Sequence, residues 1–184
     1  MEIKVNDNIT MRTLSVSDAK ETFSVIDKNR TYLRQWLPWV DATTSDKVTE
    51  NVILAWESEY QNGAEIVLGI FCDNRHVGNI GLHSLKKANN SGMIGYWLAA
   101  KEQGKGIMTK CVAALIKHGF ETLKLNRIYI HCADPNKRSQ AVAERLGFIK
   151  EGVLRDGECL YGQYYDMVIY GLLKRDWDNA IEHM

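Results

Sequence analysis

The run from Ile107 to Leu123 constrains this chain more than any other stretch. Met108, Cys111, Val112 and Leu115 recur on one helical face. Strand-like segments flank it, Met93 to Leu98 before and Arg127 to Cys132 after. A helix that returns the chain through so short a connection lays its two strands side by side and parallel. Everything around this β-α-β unit reads as antiparallel. Ile9 to Leu14 alternates like a strand, and Ala64 to Cys72 and His76 to Leu85 are joined across Asp73-Asn74-Arg75, a hairpin turn by composition. Two further strands, about Ile149 to Arg155 and Tyr164 to Leu173, end the sheet. Ser17-Asp18 caps a helix running to about Asn29, and Thr31 to Trp36 forms a second short helical piece. Ser45 caps a third, with Val48, Val52, Ala55 and Trp56 at helical spacing. Asn136 to Leu146 is a short helix closed by Gly147, the left-handed cap. The expected fold class is α+β: a mixed, mostly antiparallel sheet of about seven strands with a central parallel pair and flanking helices, not a doubly wound nucleotide fold.

A chain of 184 residues with 45% hydrophobic content suits one domain, 1–184, with its own core. Lys+Arg and Asp+Glu balance at 23 each, so no overall field steers it to nucleic acid or anionic lipid. The start, MEIKVNDNIT, has neither the basic nor the apolar stretch of a signal peptide, and apolar runs such as Ile66 to Cys72 are too short to span a bilayer. Cys72, Cys111, Cys132 and Cys159 are scattered, without a C-x-x-C pair, and read as free thiols in a reducing cytoplasm. His76, His83, His118, His131 and His183 show no ligand spacing, so no metal is expected.

Between the first parallel strand and its helix lies Gln103-Gly104-Lys105-Gly106-Ile107-Met108-Thr109. A Walker A loop requires Ser or Thr directly after Gly-Lys, where Gly106 stands. A dinucleotide fingerprint requires Gly or Ala where Thr109 stands. What remains is more general: small residues let backbone N–H groups at a helix N-terminus point at a pyrophosphate. The alternative is a plain glycine-rich turn.

The surroundings favour the phosphate loop. Gln103-x-x-Gly106-x-Met108, following a strand and opening a helix, resembles the coenzyme A pyrophosphate loop of the GNAT acetyltransferase superfamily, Gln-x-x-Gly-x-(Gly/Ala). Met108 departs from that pattern, and its side chain must point away from the phosphate. Gly95-Tyr96-Trp97-Leu98 resembles the family's central strand, which splays from its neighbour to admit the pantetheine arm. Asp134-Pro135-Asn136-Lys137-Arg138-Ser139 resembles the segment whose Asn and Ser approach that arm and the thiol, and Ala143 to Phe148 matches the helix-to-strand element after it. The flanks, LRQWLPWV and GVLRDGECLYGQYYDMVIYGLLKRDW, are similar to the ribosomal-protein N-terminal acetyltransferase branch (the RimJ/RimL type), in particular its YdaF-like members.

The resemblance implies an acetyl-coenzyme A-dependent N-acetyltransferase with a peptide or protein N-terminus as acceptor. It assigns the coenzyme to Gln103, Gly104, Lys105, Gly106, Ile107, Met108, Thr109 and Asn136, with a backbone N–H near Leu98 as oxyanion donor. Glu158, read as lying in the connection between the last strands, is the implied base, with Asp156 or a relaying water as alternatives. Ser139 is implied at the departing thiolate, where a hydroxyl suits hydrogen bonding better than full protonation. Asn136 also has the chemistry of an N-cap. Lys105 and Arg138 are candidates to assist the phosphates, and Trp36 and Trp39 would wall the acceptor cleft or else staple the first helices. Two rivals stand beside this: a small-amine or polyamine acetyltransferase, and an acyl-coenzyme A-binding module without turnover. No acidic run favours a polycation. Homo-oligomerisation is left open.

Overall fold

A computed structural model of the chain describes residues 1–182. Eight strands form one sheet: β1 (Glu2–Lys4), β2 (Ile9–Arg12), β3 (Ile66–Cys72), β4 (Arg75–Lys86), β5 (Ser91–Leu98), β6 (Arg127–Ala133), β7 (Ile149–Leu160) and β8 (Gln163–Leu173). Six helices accompany them: α1 (Ala19–Lys28), α2 (Arg30–Leu33), α3 (Asp46–Gln61), α4 (Ile107–Glu121), α5 (Lys137–Arg145) and α6 (Lys174–Glu182). The strand order is β1-β2-β3-β4-β5-β6-β8-β7, with β5 and β6 parallel and the other neighbours antiparallel.

Two expectations are corrected and one element is added. The sheet gains β1, too short to show alternation, which pairs Glu2 with Arg12. Beyond β8 the chain continues into α6, a helix the sequence reading did not name. Strand β7 runs on to Leu160, so the last hairpin turns at Tyr161-Gly162, both with positive φ, and Glu158 lies within the strand. His183 lies outside the described residues. The expected turn between β3 and β4 forms with Asp73 and Asn74 both left-handed (φ 48° and 61°), which matches the twist of a hairpin.

Burial explains the layers. Every residue of β3 is buried, because helices cover both of its faces. On one face α4 packs Cys111, Val112, Leu115, Ile116 and Phe120 against Leu68, Ile80, Leu82, Ile94, Ile128 and Ile130. Each fully buried aliphatic side chain contributes about 1.5–3 kcal/mol. On the other face Ile26, Leu33, Val40 and Trp97 form a smaller cluster beneath α1 and α2. Gly78 is required at the join of β4 and β5, since a Cβ there would stand 2.3 Å from the Trp97 carbonyl oxygen.

Candidate active site

The parallel pair comes apart. Strand β5 pairs with β6 at Ser91, Gly92 and Met93 and no further, while its β4 ladder continues to Leu98 and β6 continues along β8 to Ala133. A cleft of about 1330 Å³ opens between the diverging strands, with Gly104 and Gly106 at one end and Gly157 and Glu158 at the other. Ala99 N–H donates to the Val77 carbonyl at 2.8 Å. By the alternation of an antiparallel ladder, the N–H and C=O of Leu98 therefore point away from β4, toward the opening.

At the glycine end, Gly104 and Gly106 are left-handed (φ 74° and 72°), and a Cβ on either would meet nothing within 4 Å. Such a conformation strains any side chain, and the space beside it is vacant. Gly106 is the N-cap of α4 and brings no capping side chain. The first helical bond runs from Lys110 N–H to the Gly106 carbonyl, so the N–H groups of Ile107, Met108 and Thr109 precede the ladder. An uncapped first turn beside open space fits a pyrophosphate. Met108 is buried in the core, as its departure from the motif requires. Gln103 bridges the loop to its neighbours: its amide donates to the Tyr32 hydroxyl and its carbonyl accepts from Arg138 at 2.6 Å. The Lys105 ammonium pairs with Glu102 at 2.8 Å.

Helix α5 carries the middle of the cleft. Asn136 caps it by accepting from Ser139 N–H at 3.3 Å, and both residues also line the cleft. Gln140 ties the turn before the helix through the carbonyls of Ala133 and Asp134, and Tyr170 of β8 donates to Glu144 at 2.8 Å. These anchors hold Ser139 opposite β5, where Tyr96 Oη lies 2.9 Å from Ser139 Oγ and Cys132 donates to the same oxygen at 3.2 Å. The sequence reading missed Tyr96 and Cys132 as site residues. Alternation alone puts Tyr96 on the same face as Ile94 and Leu98, but its meeting with Ser139 requires α5 to be in place.

At the far end a β-bulge aims Glu158. Leu154 opposes Met167 and Glu158 opposes Tyr165, so Arg155-Asp156-Gly157 loops out against Asp166 alone. Asp156 is left-handed and its N–H donates to the Asp166 carboxylate at 2.9 Å. A Cβ on Gly157 would come 2.8 Å from the Met167 side chain, which would have to shift to admit it. Bulges re-aim side chains, and Glu158 turns into the cleft wall. Burial pushes its carboxyl above the usual carboxylate range. Asp156 is exposed on the bulge and is not in the wall.

The two indoles part company. Trp36 lines the cleft, edge-on to Tyr165 with ring centres 6.1 Å apart. Trp39 does not: it packs against Trp97 at 6.3 Å, at the outer edge of the cluster under α1 and α2. The proline between them starts a 3-10 turn (Pro38–Asp41) that rotates the second indole away. Among the described residues, no group of three or more His, Cys, Asp or Glu is placed to hold a metal, and no helix is long and apolar enough to cross a membrane. All four cysteines are free.

Residues 8–149 match the family described as Acetyltransferase (GNAT) domain. The chain is 40% identical over 176 residues to YdaF of Bacillus subtilis (strain 168), named as a candidate ribosomal N-acetyltransferase, and covers 96% of it with 95% of its own length. It is 32% identical over 168 residues to the ribosomal-protein-serine acetyltransferase of Escherichia coli (strain K12), covering 94% of that protein with 91% of its own. Among solved structures it superposes with a TM-score of 0.92, at 30% identity, on RimL, a ribosomal alpha-N-protein acetyltransferase in complex with coenzyme A, over 97% of this chain and all of that one. The splayed pair, the uncapped glycine turn and these matches agree: the chain belongs to the GNAT acetyltransferase family.

Proposed function

We propose that this chain, as a single N-acetyltransferase domain of the cytoplasm, moves the acetyl group of acetyl-coenzyme A to the N-terminal amine of a protein, foremost a ribosomal protein. The observation that carries the reading is the placement of one half-buried carboxylate, Glu158, in the same cleft as an uncapped helix turn. In this reading the pyrophosphate lies on the N–H groups of the Gly106–Thr109 turn and the pantetheine arm runs along the open edge of β5. The acceptor enters past Trp36. The amine nitrogen attacks the thioester carbonyl carbon within a ternary complex, and Glu158 takes the amine proton, directly or through a water. The Leu98 N–H meets the oxyanion. The C–N bond forms, the C–S bond breaks with its electron pair on sulfur, and Ser139 hydrogen-bonds the departing thiolate.

An α-amine has a pKa of about 7.7–8.0 and a lysine amine about 10.4, so at pH 7 about one α-amine in eight is neutral against about one lysine in 2,500. A single carboxylate suits the first. The acids in the cleft wall are Glu102 and Glu158, and Glu102 is paired with Lys105, which leaves little to hold a polyamine. The names of the relatives support the same acceptor class. The test compares kcat/KM for a peptide with a free N-terminal Ser, the same peptide N-blocked with one lysine, and spermidine. The free N-terminus is expected to win. Preference for the blocked lysine peptide or for spermidine overturns the acceptor, and failure of every amine to release coenzyme A overturns the enzyme.

A further inference from the structure

The Ser139 hydroxyl is held from two strands at once. Tyr96 of β5 places its Oη 2.9 Å from Ser139 Oγ and 3.2 Å from the Ser139 carbonyl oxygen, and Cys132 of β6 donates its S–H to the same Oγ at 3.2 Å. The network therefore spans the gap between the diverging strands, closed by the serine of α5. A serine hydroxyl has one proton and two acceptor lone pairs. Either oxygen of the Tyr96–Ser139 pair can be the donor; when the phenol and the thiol both donate to Oγ, both lone pairs are taken and the serine proton has to point elsewhere. All three side chains line the cleft. Burial pushes both the Tyr96 phenol and the Cys132 thiol up, so each keeps its proton at neutral pH and serves as a donor.

Resting on the acetyl-transfer reading above, we propose that Tyr96 is a positioning residue for the leaving-group end of the reaction, with Cys132 as its weaker partner. Together they fill the acceptor sites of Ser139 Oγ and commit its one proton to the coenzyme A sulfur. The phenol proton has two acceptors in reach, the serine carbonyl and hydroxyl. It rests on the carbonyl while serine donates to the phenol oxygen, and moves to Oγ when serine turns toward the charge growing on sulfur. None of the three groups ionises: the electron pair of the broken C–S bond stays on sulfur, and the thiolate gains a charge-assisted hydrogen bond.

The decisive measurement is the pKa of the coenzyme A thiol when bound, read from ultraviolet thiolate absorbance with bound desulfo-coenzyme A subtracting the protein's own thiols. It requires no turnover. The wild-type protein is expected to lower that pKa. Tyr96→Phe and Ser139→Ala should each raise it by about one, and the double variant no further than Ser139→Ala alone. In turnover, Tyr96→Phe should lower kcat about tenfold with KM for acetyl-coenzyme A unchanged. Cys132→Ala should cause a smaller loss that Cys132→Ser, which keeps a donor, restores. An unchanged bound-thiol pKa in Tyr96→Phe, or a second full effect on top of Ser139→Ala, overturns the proposal. Should Tyr96→Phe not fold, the Cys132→Ala and Cys132→Ser pair decides by the same titration. Absence of acetyl transfer to any amine strikes the functional reading alone, since the thiol titration stands without it.

Discussion

Along its β4 edge, strand β5 stays in register from Met93 to Leu98; along its β6 edge the pairing stops at Met93. The two edges belong to one strand and one stretch of sequence, yet one builds the fold and the other opens a site. A backbone N–H shut away from water without a partner costs about as much as a lost hydrogen bond. An open edge is therefore tolerable only where water or a ligand reaches it. The same division runs through the whole sheet. Strand β3 is buried at every residue, whereas β7 is exposed at most of them and carries the bulge that aims Glu158. Stability and chemistry are concentrated in different halves, and substitutions should separate them.

The largest effect is expected on the packed side. Leu115→Ala empties a fully buried position of α4 and should cost about 2–5 kcal/mol in urea unfolding, with little change in turnover per folded molecule. A loss of turnover at full stability would break the division.

On the open side the reverse is expected. Glu158→Gln should lower kcat by roughly 10²-fold, the scale of a positioned base, while acetyl-coenzyme A affinity holds. Burial raises the Glu158 carboxyl, so the active ionised form is lost as pH falls through that raised value. The acid limb of the wild-type rate profile should stand above the ordinary carboxylate range and vanish or shift in the variant. Stability follows the opposite sign. A carboxylate with a raised folded pKa favours the fold below its unfolded value and loses that contribution as pH rises through the folded value. Glu158→Gln should thus be at least as stable as wild type near neutral pH, with the difference closing in acid. A variant with wild-type rate and wild-type pH dependence removes Glu158 from the chemistry.

The smallest effect concerns the N-terminal scaffold. Two hydrogen bonds from the Arg12 guanidinium, at 2.7 and 2.9 Å, hold the Asp18 carboxyl down at about 2. A depressed carboxylate stabilises the fold above its unfolded pKa and loses that contribution as pH falls toward its folded value. Asp18→Asn should cost about 1 kcal/mol at neutral pH, given the partial exposure of the pair, and progressively less as pH falls through the folded value. Turnover should not change.

The sequence made the architecture legible where periodicity is strong. The one-faced run of α4, the turn at Asp73-Asn74 and the cap at Gly147 all follow from local chemistry. Strand β1 was hidden because a three-residue strand has no pattern to read, and α6 because Leu172-Leu173 runs straight into it. The site was legible where backbone does the work: Gly104 and Gly106 announce left-handed positions by being glycine. It was less so where side chains meet across the fold. Arg155-Asp156-Gly157 reads as a turn by composition, and only pairing with β8 reveals a bulge within a strand. Trp36 and Trp39 look equivalent on either side of their neighbours, and the 3-10 turn alone separates them. Tyr96 and Cys132 join Ser139 from strands that are not neighbours in sequence, a contact no spacing rule contains.

The central claim is that the gap between β5 and β6 holds acetyl-coenzyme A by the uncapped turn at Gly106. Isothermal calorimetry with acetyl-coenzyme A tests it on two matched variants, Gly106→Val and Gly147→Val. Both positions are left-handed with φ 72° and 77°, and both are open around the added Cβ, but only Gly106 lines the cleft. With folding verified for each, Gly106→Val should weaken binding at least about tenfold, or about 1.4 kcal/mol, and Gly147→Val should leave it near the wild-type value. Unchanged affinity in Gly106→Val, or an equal loss in both, would contradict the account.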